Sequence, residues 1–193
     1  NNAKTADFVG ARLLIADAAH IEDATAIAEA TGIRLMALDG GAETSYERLK
    51  SASDGHFVPG QAEPGDAALL LLSSGTTGKP KGVMLSHRNV IASAGNKIVL
   101  GGFQRDDVWL HAAPMFHQAD SWATFSFTAL GARHVFMPRF DAATAVDLIE
   151  RHAITGFQLV PTMILMMLEV AGVAKRDFSS VRRVLYGSAP MPL

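Results

Sequence analysis

Apolar residues in this chain come in short unbroken runs, separated by stretches with helical spacing. "RLLIAD" (12–17) and "IRLMALDGG" (33–41) read as strands, the second ending in a glycine turn. Between them "IEDATAIAEATG" (21–32) reads as an alanine-rich helix stopped by Gly32. "AALLLLSS" (67–74) lacks alternation, so it is expected to be a strand buried on both faces. "GVMLSH" follows as a short strand, and Ser86 caps a helix running to about Leu100. "DVWLHAAP" (107–114), "ARHVFMP" (132–138) and "VRRVLYGS" (181–188) are further strands. Asp141 caps a helix with Ala145, Leu148, Ile149 and His152 on one stripe. "ITGFQLVP" leads into an almost wholly apolar helix, "TMILMMLEV". The stretch 41–66, rich in Gly, Pro, Ser and charge, reads as a short helix plus a linking loop.

Strand and helix take turns along the whole length. That pattern predicts an α/β fold with a mostly parallel sheet and flanking helices. Ligands of such sheets gather at the carboxyl ends of the strands. Two polar clusters, at 73–82 and 187–190, fall at such ends.

Composition narrows the possibilities. Apolar residues make up 49% of the 193, ample for a packed core, and suit one domain or one and a half. A net charge of −2 without a basic run argues against nucleic acid as a partner. There is no cysteine, which excludes disulfides and thiolate metal sites and fits a reducing, cytoplasmic setting. The longest apolar stretch is interrupted by Pro161 and Glu169 and is too short for a transmembrane segment, and no signal peptide is evident.

The most informative stretch is "LLLLSSGTTGKPKGVMLSH" (69–87). An apolar strand gives way to nine residues without an apolar side chain. Gly75, Gly78 and Gly82 are expected to allow positive φ and close ligand approach. Successive backbone N–H groups in such a bend form an anion-binding concavity. Ser73, Ser74, Thr76 and Thr77 add hydroxyls, Lys79 and Lys81 add charge, and Pro80 prevents helical winding. The sum is a polyphosphate clamp, or else a polar hairpin joining two strands. It is not the common nucleotide loop, because Gly78-Lys79 is followed by Pro80 and position 73 is Ser.

This stretch resembles the phosphate-loop signature of the adenylate-forming (AMP-binding) superfamily, which includes acyl-CoA synthetases, peptide-synthetase adenylation domains and firefly-type luciferases. "APMFHQAD" (113–120) resembles that family's segment near the acyl carboxylate, and "VLYGSAPM" (184–191) its segment beside the adenine. The intervening sequence is most similar to fatty-acyl and aryl CoA ligases. The resemblance implies ATP-dependent activation of a carboxylic acid: acyl-AMP forms first, then a thiol, commonly that of coenzyme A, displaces AMP. It implies that Ser73, Ser74, Gly75, Thr76, Thr77, Gly78, Lys79 and Lys81 hold phosphates, with Lys81 also catalytic and Thr76 a candidate Mg2+ ligand. It implies that His117 sits beside the reacting carboxylate, as a hydrogen-bond donor or a steric gate. It implies that Gly187, Ser188, Ala189 and Pro190 lie along the adenine.

Trp122, Phe125, Phe127, Met163, Met166 and Met167 are candidates for an acyl tunnel or for ordinary core. Asp120, three residues after His117, stands where a peptide-synthetase domain could hold an amino group, so an amino-acid substrate stays open beside a fatty or aryl acid. A non-catalytic nucleotide-binding module is the other alternative. Full enzymes of this superfamily continue beyond the adenine-side segment into a lid domain. The chain is therefore expected to be an incomplete AMP-binding domain, with residues 1–60 a first βαβ-like part and linker and 61–193 carrying the phosphate-loop and acyl/adenine parts. Alone it is expected to be inactive, and to associate with itself through surface left open.

Overall fold

A computed structural model describes residues 2–38, 45–56, 59–73 and 81–191. The chain divides into two compact units, 1–85 and 86–193.

In the first unit α1 (Asn2–Phe8) precedes β1 (Leu13–Ala16), α2 (Ile21–Thr31) and β2 (Arg34–Ala37). β1 and β2 pair in parallel, from Leu13 opposite Arg34 to Ala16 opposite Ala37. α2 ends where Gly32 turns left-handed at φ 71°, the residue read as its stop. Small residues close this βαβ unit, with Ala16, Ala24 and Ala37 buried. After α3 (Tyr46–Ala52), β3 (Ala67–Ser73) and β4 (Lys81–Ser86) form a separate two-stranded sheet.

Two expectations fail here. β3 is not buried on both faces: Leu70 and Leu72 are exposed, as are Val83 and Met84 on β4. A continuous apolar run makes a strand with two apolar faces, but it does not provide the layers that would cover them. Gly82, for its part, does not use positive φ. It lies in β4, where a Cβ would come within 3.3 Å of the Leu70 side chain, so its missing side chain serves packing.

The second unit is a four-stranded, all-parallel sheet in the order β6-β5-β7-β8, built from β5 (Val108–His111), β6 (Arg133–Phe136), β7 (Gly156–Leu159) and β8 (Arg183–Tyr186). Its helices are α4 (His87–Gly101), α5 (Gln118–Leu130), α6 (Ala142–His152) and α7 (Pro161–Leu168). Ser86 and Asn89 form a reciprocal cap on α4. Asp141 Oδ1 accepts from the Thr144 backbone N–H to start α6.

Every residue of β5 is buried, and its alternation sorts the core into two layers. Val108 and Leu110 pack with Ala145, Val146 and Ile149 of α6 and Met167 of α7. Trp109, on the other face, packs with Phe103 and with Trp122, Ala123 and Phe127 of α5. α4 lies against α5, where the Ser126 hydroxyl donates to the Ala94 carbonyl at 3.4 Å.

The amino ends of the strands are tied by polar groups. Thr155 Oγ1 donates to Asp107 Oδ1 at 2.7 Å and accepts from the Val108 N–H at 2.9 Å. Asp107 also pairs with Arg182 at 2.7 Å. The opposite, carboxyl ends are left for a site.

α5 is absent from the sequence reading. Its "QADSWATFSFTAL" is poor in strong helix formers. Packing on Trp109 and the caps His117 and Gly131 (φ 63°) make it a helix all the same.

Candidate functional site

Three chain segments leave the sheet side by side at its carboxyl edge: residues 112–117 after β5, Val160 after β7, and Gly187-Ser188 after β8. They enclose a cavity of about 250 Å³. Pro114, Phe116 and His117 line it from the first segment, and Gly187 and Ser188 from the third. Two stretches singled out some seventy residues apart in sequence thus meet at one cavity. The position follows from the topology, since β5, β7 and β8 are sheet neighbours.

His117 is the N-cap of α5, and its Nδ1 accepts from the Ala119 backbone N–H at 3.2 Å. An imidazole nitrogen that accepts carries no proton, so in the neutral ring the proton sits on Nε2. His117 therefore offers one N–H to a ligand, beside the positive end of a helix dipole. Ala119, in the first turn of α5, lines the same cavity.

Ser188 adopts φ 69°, a left-handed backbone that is uncommon for a residue with a side chain. Such strain is held where the surroundings demand it. Here it turns the chain away from β8 at the cavity rim. Ala189 and Pro190 follow as exposed residues and do not line the cavity.

Ser74, Gly75, Thr76, Thr77, Gly78, Lys79 and Pro80 lie outside the described residues, and so do the phosphate-binding and Mg2+ roles read onto them. Ser73 closes β3, and Lys81 opens β4 as an exposed residue. Among the described residues no cluster of three His, Asp or Glu side chains could hold a metal ion. No helix among them is long and apolar enough to cross a membrane.

The tunnel candidates divide. Met163 lines the cavity. Trp122, Phe127 and Met167 are buried core, Phe125 is half-buried and Met166 is exposed. Asp120 is fully buried and does not line the cavity: it accepts from Trp109 Nε1 at 3.1 Å and pairs with His111 Nδ1 at 2.7 Å. His111 Nε2 in turn lies 2.8 Å from His134 Nδ1, which extends the array to the Thr128 hydroxyl at 3.3 Å. Burial and the neighbouring His111 lower the pKa of His134, partly opposed by Asp120.

Sequence reasoning gave no role to His111 or His134 and overlooked Gln158. The signal for Gln158 was present: it is the lone polar side chain in "GFQLV", and it lines the cavity.

The chain is 37% identical over 202 residues to 4-coumarate–CoA ligase 5 of Oryza sativa subsp. japonica, covering 98% of itself and 36% of that protein. It superposes on the N-terminal domain of FACL13 from Mycobacterium tuberculosis with a TM-score of 0.83 at 28% identity, covering 98% of itself and 49% of that chain. It superposes on ATP-bound MatB from Rhodopseudomonas palustris with a TM-score of 0.81 at 25% identity, covering 98% of itself and 38% of that chain. The chain spans about a third of the length of the curated relatives it matches. Its residues 3–193 match the model of the AMP-binding enzyme family, and the chain belongs to that family.

Proposed function

We propose that the full-length protein carrying this chain is an acid–thiol ligase: it joins a carboxylic acid to the α-phosphate of ATP, releases pyrophosphate, and passes the acyl group to coenzyme A. The observation that carries the reading is the meeting of His117 with Gly187 and Ser188 at one cavity, in a member of the AMP-binding family. In this reading the acid lies in the cavity with its carboxylate toward Nε2–H of His117 and the first turn of α5. Carboxylate and polyphosphate repel each other, so the protein must align and neutralise them. That task falls to Lys81, with Ser73, Ser74, Gly75, Thr76, Thr77, Gly78 and Lys79, around the β- and γ-phosphates, and a Mg2+ near Thr76 would share the charge. Gly187, Ser188, Ala189 and Pro190 pass along the adenine.

The inward engagement of Asp120 supports a fatty or aryl acid over an amino acid, because its carboxylate is occupied by Trp109 and His111. The apolar lining from Leu159, Val160 and Met163 supports the same choice. The cysteine-free composition is consistent with work in the cytoplasm.

The test is acid-dependent exchange of labelled pyrophosphate into ATP by the full-length protein, followed by CoA-dependent release of AMP. Exchange with aryl or acyl acids, lost in a Lys81→Ala variant, supports the reading. Nucleotide binding without exchange for any acid would favour a non-catalytic module instead.

A further inference from the structure

Trp122 Nε1 lies 2.9 Å from Gln158 across the wall between α5 and β7. An indole nitrogen only donates, so the Gln158 atom facing it must be the carbonyl Oε1. The opposite arm of the amide, the Nε2 donor, is then directed away from Trp122. It stands 4.0 Å from where a side chain on Gly187 would begin, and both residues line the cavity. Among the described residues Nε2 donates to no group. The setting holds this orientation firmly. The Trp122 indole is packed against Trp109, with ring centroids 5.2 Å apart, and Phe103, at 5.8 Å, while Lys97 Nζ sits 5.1 Å from its ring centre.

Gln158 is half-buried and lines a mostly apolar cavity, so a ligand that fills the cavity displaces the water that accepts from its Nε2–H and must supply an acceptor in its place. We infer that Gln158 is a specificity-determining residue, whose Nε2–H, oriented by Trp122, donates to an oxygen on the hydrocarbon body of the acid. The favoured substrate class is then an acid bearing an ether, carbonyl or hydroxyl oxygen. Trp122 is the positioning residue. This inference rests on the reading of the cavity as the acid site.

The experiment compares matched acceptor and hydrocarbon probes on the full-length protein: 2-, 3- and 4-methoxycinnamate against the corresponding ethylcinnamates. kcat/KM in pyrophosphate exchange and Kd by calorimetry are both read. At least one methoxy isomer is expected to be favoured by about tenfold over its ethyl partner. Gln158→Leu should bring the methoxy-to-ethyl ratio close to one, with kcat/KM falling further for the methoxy acid than for its ethyl partner. Trp122→Phe, which removes the fixing N–H together with part of the ring packed on Trp109 and Phe103, should weaken the preference without abolishing binding of the ethyl acid. Equal use of every pair by the natural protein, or a uniform loss for both members in Gln158→Leu, overturns the inference while leaving acid activation intact. Failure of every acid to bind or exchange is a different outcome: it overturns the acid-site reading and this inference with it.

Discussion

Oδ2 of Asp120 lies 2.7 Å from Nδ1 of His111, and both side chains are fully buried. The pair joins the first turn of α5 to the last residue of β5. Because His117 caps the same helix, this buried bond helps set where its imidazole stands at the cavity. Asp120→Ala leaves His111 and the Trp109 N–H without an acceptor in a dry core. The expected cost is about 3 kcal/mol, with a smaller loss for Asp120→Asn. A shift of the urea-denaturation midpoint measures it, and an unchanged midpoint would contradict the account.

His134 makes the stability of this unit depend on pH. Its native pKa is below the ordinary 6.5, through burial and then through His111. Between that lowered value and 6.5 the unfolded chain binds a proton that the native chain does not, so stability falls as the pH drops through the window. Denaturation curves from pH 7.5 to 5 should show this fall, and His134→Gln should flatten it.

Gly156 marks a tight point in the sheet. A Cβ there would stand 3.0 Å from Cζ3 of Trp109 and 3.3 Å from the Arg183 carbonyl oxygen. Trp109 is walled in by Phe103, Trp122 and Phe127 and cannot yield cheaply. Gly156→Ala is expected to destabilise by about 2 kcal/mol, with altered tryptophan fluorescence. A variant as stable as the parent would show that the sheet relaxes there.

In the full-length protein Lys81→Ala should lower pyrophosphate exchange by about a hundredfold, the usual effect of losing one preorganised charge partner. His117→Ala should reduce exchange too, by lowering kcat more than it raises KM, since its N–H is proposed to align a carboxylate and not to bind the body of the acid. Equal effects of the two substitutions on stability and on exchange would reduce both residues to structural roles.

Ile91, Val99 and Leu100 are exposed on α4, and Leu100 keeps 86% of its surface open. Apolar surface of this kind favours association. The isolated 193-residue chain should self-associate in light scattering at micromolar concentration. A monodisperse monomer would be the contrary result.

Much of this was readable in the sequence because it depends on local rules. Gly32 ends α2, and Ser86 and Asp141 start α4 and α6, through hydrogen bonds made within a few residues. The alternation of short apolar runs with helical spacing was enough for a parallel α/β sheet, since a βαβ crossover leaves few other arrangements. The segments around His117 and Gly187 stood out through their resemblance to motifs of the adenylate-forming superfamily, the second also as a polar cluster at the end of a strand. What covers an apolar strand is not a local matter, and so β3 was misjudged. α5 was overlooked because its propensity is weak and its formation is a consequence of packing on Trp109.

The sequence by itself determined the family and the alternation of strands and helices other than α5, because caps, periodicity and motif spacing act over a few neighbouring positions. Only the tertiary structure decided that Asp120 faces His111 and not the cavity, that His117 and Gly187 line one cavity, and that Trp122 orients Gln158. Those relationships join residues 9 to 70 positions apart, and only the stacking of β5, β7 and β8 under α5 brings them within reach of one another.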